Sequence, residues 1–557
     1  MARCPACAGG RKGWTMGGRN FMRRWSGRWL LGLLLTLGSM PAWSAEDVMN
    51  YVVRQGDTLI GLGEALFEHP ARWPVVQRLN GVADPRRIPV GSVLRIPVRL
   101  LRQVPREGQV VFVSGEASTG GRLIQAGMRI REGDRLETGE RSFLTIELPD
   151  GSRLTLQPDT RARVLGLRGY QGFDAAQRAD FDVESGRIET EVKPQGGPAA
   201  RYRIHTPTAI IGVRGTSFRV ASDGEVTRTE MREGTVEVSD PGGRRRIVRV
   251  SEGFGQVARA GKPLAAPVAL LPAPDLSEVP VLHERPLLKI ELAPVAGAVA
   301  YRAQVASDVG FTRILAEARS ALPEVKVTGL PDGDYVLRAR AIDSLGLEGR
   351  DAQQAFRLKA RPEPPYVITP RPDGKVNAGE VLFSWSQAEG AARYRFVLSE
   401  HEDLSAPIAS ETALDAPRFT RALEAGTYYW RLASTRADGD QGPWGDPVAF
   451  TVRPPMAAVP PPSFDEASMF LAWSGEPGQR FDYQLADDEK FASLVASGTV
   501  DQPELRIERP APGAYYLRVR AIDPDGFVGA YSATQQVIVP ARLPAWLLVI
   551  PALMIAL

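Results

Sequence analysis

Cysteine is nearly absent from this chain. Among 557 residues only Cys4 and Cys7 carry a thiol, and both lie in the first 44 residues. Those residues hold seven basic side chains (Arg3, Arg11, Lys12, Arg19, Arg23, Arg24, Arg28) and no acidic one. An apolar run from Trp29 to Gly38 follows, then small residues through Ala45. This is the layout of a secretory signal peptide with an N-terminal extension, residues 1–45. With that segment removed, no disulfide, thiol nucleophile or lipid-attachment cysteine is expected to remain, which excludes a thiol transpeptidase. Histidine is scarce too. His69, His205, His283 and His401 are scattered along the chain, and no HExxH, phosphate-binding glycine loop or GxSxG elbow occurs. No metal, cofactor or catalytic residue is therefore expected. The excess of positive charge is only local. The net charge of +3 becomes −4 once the seven basic residues of the leader are set aside, so no nucleic-acid partner is expected.

Long hydrophobic runs are also missing. The last stretch, Leu543 to Leu557, has fifteen mostly apolar residues interrupted by Pro551. As a helix it would span about 22 Å, short of a ~30 Å hydrocarbon core. A cut-short membrane helix, a tail lying in a membrane and a strand cap are the three fates it allows. At 557 residues, rich in Gly and Pro, the body is expected to hold three to five loop-rich, mainly β domains.

What is present begins at Tyr51. Short β-type runs, Tyr51-Val52-Val53 and Val93-Leu94-Arg95-Ile96, bracket two segments with helical periodicity. Thr58 to Phe67 sets Leu59, Leu62, Ala65 and Leu66 on one face, behind a Gly56-Asp57-Thr58 turn and cap. Arg72 to Leu79 ends at Asn80-Gly81. Leu59, Trp73, Leu79 and Ile88 are the expected core. The marks Tyr51-x-Val53-x-x-Gly56-Asp57-Thr58-Leu59, Trp73, Leu79-Asn80, Pro85-x-x-Ile88 and Gly91-x-x-Leu94-x-Ile96-Pro97 resemble the LysM module, a βααβ fold that binds N-acetylglucosamine in peptidoglycan and chitin. The resemblance implies a shallow sugar groove between the loops Gly56–Leu59 and Asn80–Ile88. Its candidate residues are Gly56, Asp57, Thr58, Leu59, Asn80 and Ile88. Each also has a structural reading, as cap, helix stop or core.

From 105 to 262, alternating runs such as Phe143–Leu148, Arg153–Leu156 and Thr235–Val238 are broken by Pro-Asp and Asp-Gly turns, the pattern of an all-β domain. Ile204-His-Thr-Pro207-Thr-Ala-Ile-Ile-Gly212-Val-Arg214-Gly215-Thr216-Ser-Phe218, with Glu233-Gly234 and Glu252-Gly253, resembles the FecR domain, named for an iron-dicitrate signalling protein. Here Pro207, Gly212, Arg214, Gly215 and Thr216 are read as structural or partner-binding, with Gly212 and Gly215 permitting a tight backbone crossing. The FecR relay carries a cytoplasmic part and a membrane helix ahead of the domain, and a leader and LysM module stand there instead. The basic cluster around Arg244–Arg246 and Arg249 is read as a solvated strand edge.

A Pro- and Ala-rich linker is expected at 263–280. Beyond it Asp332-Gly-Asp-Tyr335 recurs around Tyr428 and Tyr515, with Leu292, Trp385 and Trp473 upstream. Such repeats resemble fibronectin type III sandwiches, at 281–361, 364–454 and 458–541, joined as beads on semi-rigid joints. The expected protein is multidomain and mainly β, comprising a small LysM module (46–100), an all-β FecR domain (105–262), three β-sandwiches and an apolar tail (543–557). It is expected in the periplasm or cell envelope as a non-enzymatic peptidoglycan binder, whose FecR domain or sandwich repeats leave room for an envelope protein partner and whose tail has membrane contact as one of its three fates. The alternatives are a FecR-type signal regulator and a peptidoglycan hydrolase using carboxylates that no motif reveals.

Overall fold

Strand β1 (Val48–Val52) pairs antiparallel with β2 (Val93–Pro97), and helices α1 (Leu59–Leu66) and α2 (Trp73–Asn80) lie between them. A computed structural model describes residues 47–194, 201–213, 215–241 and 246–541, without the side chains of 174–176. Residues 1–46 with Cys4 and Cys7, for which a signal peptide is expected, Arg214, Arg244, Arg245 and the tail 543–557 lie outside the described residues. Thr58 starts α1, its hydroxyl accepting the Gly61 amide at 2.9 Å. Leu59, Leu62 and Leu66 are buried, the 3- and 4-residue spacing of one helix face. Two expectations are corrected. Ala65 is exposed, and Leu79 is 38% exposed rather than core. Helix α2 has only eight residues and buries Val76 fully, so Leu79 falls on its outer side.

The next domain turns on one long strand, Phe173–Glu191. Its first part pairs antiparallel with Arg161–Tyr170 and parallel with Arg201–His205. Its last part pairs with Arg153–Leu156 and Ser217–Ser222. One strand thus serves both halves of a closed barrel. The changeover is at Gly186, where φ is +99° and a Cβ would lie 2.4 Å from the Thr160 Cα. Only glycine fits that bend. The barrel is filled by Val, Leu and Ile, with Phe181, Tyr202 and Phe218 among the largest buried side chains.

The linker is not a free joint. Leu264, Leu270, Leu276 and Val279 are buried, and Val268–Ala269 pairs with Phe254–Arg259. Apolar side chains spaced through a Pro-rich stretch keep it against the barrel and the first sandwich. Three sandwiches follow, with main sheets of five, six and four strands. Leu292, Trp385 and Trp473 are core residues. Tyr335, Tyr428 and Tyr515 each donate a hydroxyl hydrogen bond to the carbonyl four residues earlier, at 2.8, 3.1 and 2.9 Å. This is the corner that the repeat pattern implies.

The joints are pinned as well. Lys359 Nζ reaches Asp440 of the second sandwich at 2.9 Å. Lys375 Nζ lies 2.6 Å from Asp523 and 2.7 Å from Asp525 of the third. Residues that read as separate beads are linked by polar contacts across each junction.

Candidate functional sites

The two LysM loops lie side by side, joined where the Leu59 amide donates to the Pro85 carbonyl at 2.8 Å. Asp57 accepts from the Tyr51 hydroxyl at 2.9 Å and from the Arg54 amide at 2.7 Å. Partial burial and that bond raise the Tyr51 pKa. Asn80 ties α2 to β2. Its Nδ2 donates to Val76 O and Arg95 O, and its Oδ1 accepts the Arg95 amide at 2.7 Å. Leu59 is fully buried and Ile88 nearly so, while Gly56 stands open at φ +90°. The six candidate residues therefore divide. Gly56 faces solvent, Asp57, Thr58 and Asn80 shape the loops through their own hydrogen bonds, and Leu59 and Ile88 lie beneath.

The module shares its core with the barrel. Tyr170 packs among the LysM core residues, and the Tyr51 ring meets Phe173 edge-on at 6.1 Å. Arg102 donates its guanidinium to Phe67 O at 3.0 Å, and its carbonyl accepts the Gln171 amide at 3.0 Å. Nothing in the motif spacing signals this contact.

The FecR motif residues do not converge on one site. Pro207 sits in the turn that Thr206 closes, its hydroxyl accepting the Ala209 amide at 2.9 Å. Thr208, Thr227 and Thr206 form a buried hydroxyl chain at 2.6 and 2.8 Å. Gly215, at φ +62°, passes so close to Pro194 that an added Cβ would lie 3.0 Å from its Cα, as a tight crossing requires. Gly212 does not need that freedom, because its nearest such contact is an ordinary 3.8 Å. It opens instead onto a polar trough of about 900 Å³ with Arg201, Arg203, Glu237 and Arg249 on its walls. Arg249 lies 3.2 Å from Glu237 across a strand pair, both largely exposed. Thr216 is buried.

A dense cluster of buried charge lies elsewhere, between barrel and first sandwich. Glu189 receives both Nη groups of Arg338 at 2.8 and 2.7 Å, together with Arg232 and Arg340. Glu348 holds Arg340 at 2.7 Å and Arg302 at 3.1 Å. Arg219 bonds Asp351 at 2.9 Å and the carbonyls of Glu348 and Gly349 at 2.7 Å. Burial alone would raise the Glu189 carboxyl, but Arg338, Arg232 and Arg340 hold it down at about 2. Among the described residues Glu230 has hydrogen bonds only from Arg219 Nε at 3.4 Å and the Glu348 amide at 3.2 Å. Burial, with the Glu348 carboxylate nearby and Arg219 opposing, pushes it up to about 7. No motif could reveal this network, because its members are spread from Glu189 to Asp351.

A pH dependence follows. Folded Glu230 keeps its proton to about pH 7, whereas its ordinary value is 4.5. The folded state therefore binds more protons in that window, and stability falls as pH rises through it, by on the order of 3 kcal/mol. Glu189 acts oppositely, its contribution being lost as pH falls from 4.5 toward 2. Glu230→Gln is expected to match the parent near pH 5 and to exceed it at pH 8. Urea midpoints at the two pH values check this; parallel curves would refute it.

Comparison with known proteins adds to the geometry. The LysM domain family matches residues 51–97, and the FecR protein family matches residues 134–237. No curated protein matches the chain. Among solved structures, a protein described as an anti-sigma factor from Parabacteroides distasonis aligns at 17% identity and TM-score 0.20 over 24% of this chain. The alignment spans 59% of that protein's length. The FN1-FN3 domains of chicken CNTN1 align at 15% identity and TM-score 0.21, over 49% of this chain and 99% of theirs. Fibronectin(III)-like modules of Clostridium thermocellum CbhA align at 16% and 0.21, over 32% of this chain and 93% of theirs. LysM and FecR domains are binding and regulatory rather than catalytic. The chain thus carries a segment that matches the LysM domain at residues 51–97 and one that matches the FecR protein family at residues 134–237, followed by three β-sandwiches.

Proposed function

We propose that this is a non-enzymatic envelope protein that binds the N-acetylglucosamine glycan of peptidoglycan through its LysM loops. The FecR barrel and sandwiches form the scaffold that the bound module holds at the wall. The observation that carries the reading is the pairing of the two loops through Leu59 N–H and Pro85 O, which sets open Gly56 beside the segment Asn80–Ile88. Backbone groups there and the outward atoms of Asp57, Thr58 and Asn80 meet the N-acetyl groups, while Leu59 and Ile88 support the floor from inside. Neutral sugars need shape and hydrogen bonds rather than charge, and a shallow polar groove supplies both.

Deleting the module is a poor test, because it would expose Tyr170 and Phe173 of the barrel. Ala83 is exposed in the second loop. Ala83→Glu adds bulk and negative charge in the groove without touching the core. It is expected to weaken co-sedimentation with insoluble peptidoglycan by about tenfold or more, equivalent to ~1.4 kcal/mol. Unchanged sedimentation would place the glycan contact outside these loops.

A further inference from the structure

The first and third sandwiches present the same constellation on the same face of their main sheets, and among the described residues only the first has it covered by carboxylates of another domain, the third being capped by its own Tyr531 ring, 4.3 Å from Arg518 and 4.7 Å from Arg520. In the first, Arg338 pairs across the sheet with Gln304, and Arg340 with Arg302. Arg338 donates to Gln304 Oε1 at 2.7 Å and lies 4.0 Å over the Phe311 ring. In the third, Arg518 pairs with Gln484 and Arg520 with Asp482. Arg518 donates to Gln484 Oε1 at 2.8 Å and lies 4.0 Å over Phe491. Phe311 and Phe491 share a left-handed backbone, at φ 51° and 58°. Each residue of the second set stands 180 positions beyond its counterpart.

The middle sandwich has lost the arrangement. Val397 and Leu404 stand where glutamine and phenylalanine would be, although the ring over the arginine is kept, Trp444 lying 4.7 Å from Arg431 as Tyr531 lies 4.3 Å from Arg518. Retention in the third sandwich is therefore not a requirement of the fold.

What differs is the cover. The barrel lays Glu189 across both Nη groups of Arg338 and packs Phe143 with Ile314 and Phe311. In the third sandwich the residue matching Ile314 is Leu494, 45% exposed where Ile314 is 1%. Among the described residues no carboxylate bridges Arg518. The acidic residues that neutralise the first face from within its own sandwich are replaced as well. Val528 stands for Glu348, Tyr531 for Asp351 and Ser497 for Glu317, leaving Asp482 beside Arg520 at 2.9 Å.

We infer that the outer sheet face of the third sandwich, centred on Arg518, Arg520, Phe491 and Leu494, docks a separate protein domain. That partner presents a β-sheet face carrying carboxylates beside an apolar side chain, as the barrel does to the first sandwich. The charge requirement selects the partner. Two guanidinium groups whose faces meet Phe491 and Tyr531 but whose N–H edges have a single intrinsic carboxylate are best met by incoming Asp or Glu, which bind arginine in bidentate fashion. The chain's own barrel is not available, since its Glu189 is already held by Arg338, Arg340 and Arg232.

The test uses the full chain with a photo-cross-linking residue at position 494, irradiated in the cells that produce it. Cross-linked peptides are identified by mass spectrometry, and the captured protein is purified for direct binding. The expected result is a second protein cross-linked within an Asp- or Glu-bearing strand. Its binding should fall at least tenfold with Arg518→Glu and with Leu494→Glu, and weaken as salt is raised. Leu494→Glu guards against misfolding, because residue 494 is on the surface. Absence of any cross-link, a cross-link to a second copy of this chain, or binding unaffected by both variants would each overturn the inference.

Discussion

Glu189→Ala is expected to lower the unfolding free energy of the barrel and first sandwich by about 3–5 kcal/mol, the cost of leaving buried charges without their partner. The residue accepts from Arg338, Arg340 and Arg232 at once, and the Arg338 and Arg340 side chains are each only 1% exposed. Removing the carboxylate leaves buried Arg338 with Gln304 as its remaining hydrogen-bond partner among the described residues, whereas Arg340 keeps Glu348 and Asp351. Arg338→Ala alone is expected to be costly too, since Glu189 would then keep fewer cations against its desolvation. The double variant should lose less than the sum, with a coupling of about 1–3 kcal/mol. Urea titration followed by circular dichroism measures each value. If Glu189→Ala changes stability by less than ~1 kcal/mol, the two domains are not held together by this network.

Gly186→Ala is expected to cost about 2–5 kcal/mol, combining strain at positive φ with overpacking. The added methyl would sit 2.4 Å from Thr160 Cα and 2.8 Å from Asp159 O, both backbone atoms that no rotamer change can move. The strand changes from one set of partners to the other between Ser185 and Gly186. Loss of the bend would break pairing with Arg161–Tyr170 or with Ser217–Ser222. The predicted measurement is a lowered thermal midpoint with increased amide exchange in those two strands. Gly212→Ala is the matched control, and its nearest contact of 3.8 Å implies a much smaller effect.

Local patterns were legible where they depend on neighbours in the chain. The Thr58 cap, the α1 spacing of Leu59, Leu62 and Leu66 (Ala65 apart) and the Tyr335, Tyr428 and Tyr515 corners all arise within a few residues, and each takes the form its sequence implies. Leu79 was misleading, because periodicity shows a face but not what covers it. The linker misled for a related reason. Pro and Ala suggest an exposed joint, yet four apolar side chains in 263–280 find burial against two domains.

The two LysM loops show both sides. Their residues are visible as a motif, but Asp57, Thr58 and Asn80 turn their polar atoms largely into the loops' own hydrogen bonds. Which atoms remain for a sugar is settled by that internal bonding, not by residue type.

By itself the sequence determined the order of modules, their mainly β character and the small βααβ unit at the front, because turn chemistry and side-chain periodicity act over short distances. Only the tertiary structure decided that LysM module, barrel and first sandwich share packed contacts rather than hang as beads. Arginine and glutamate read alike as solvated surface until Glu189 and Arg338, 149 positions apart, are brought face to face. Desolvation then turns a surface charge into a buried one that must be paired.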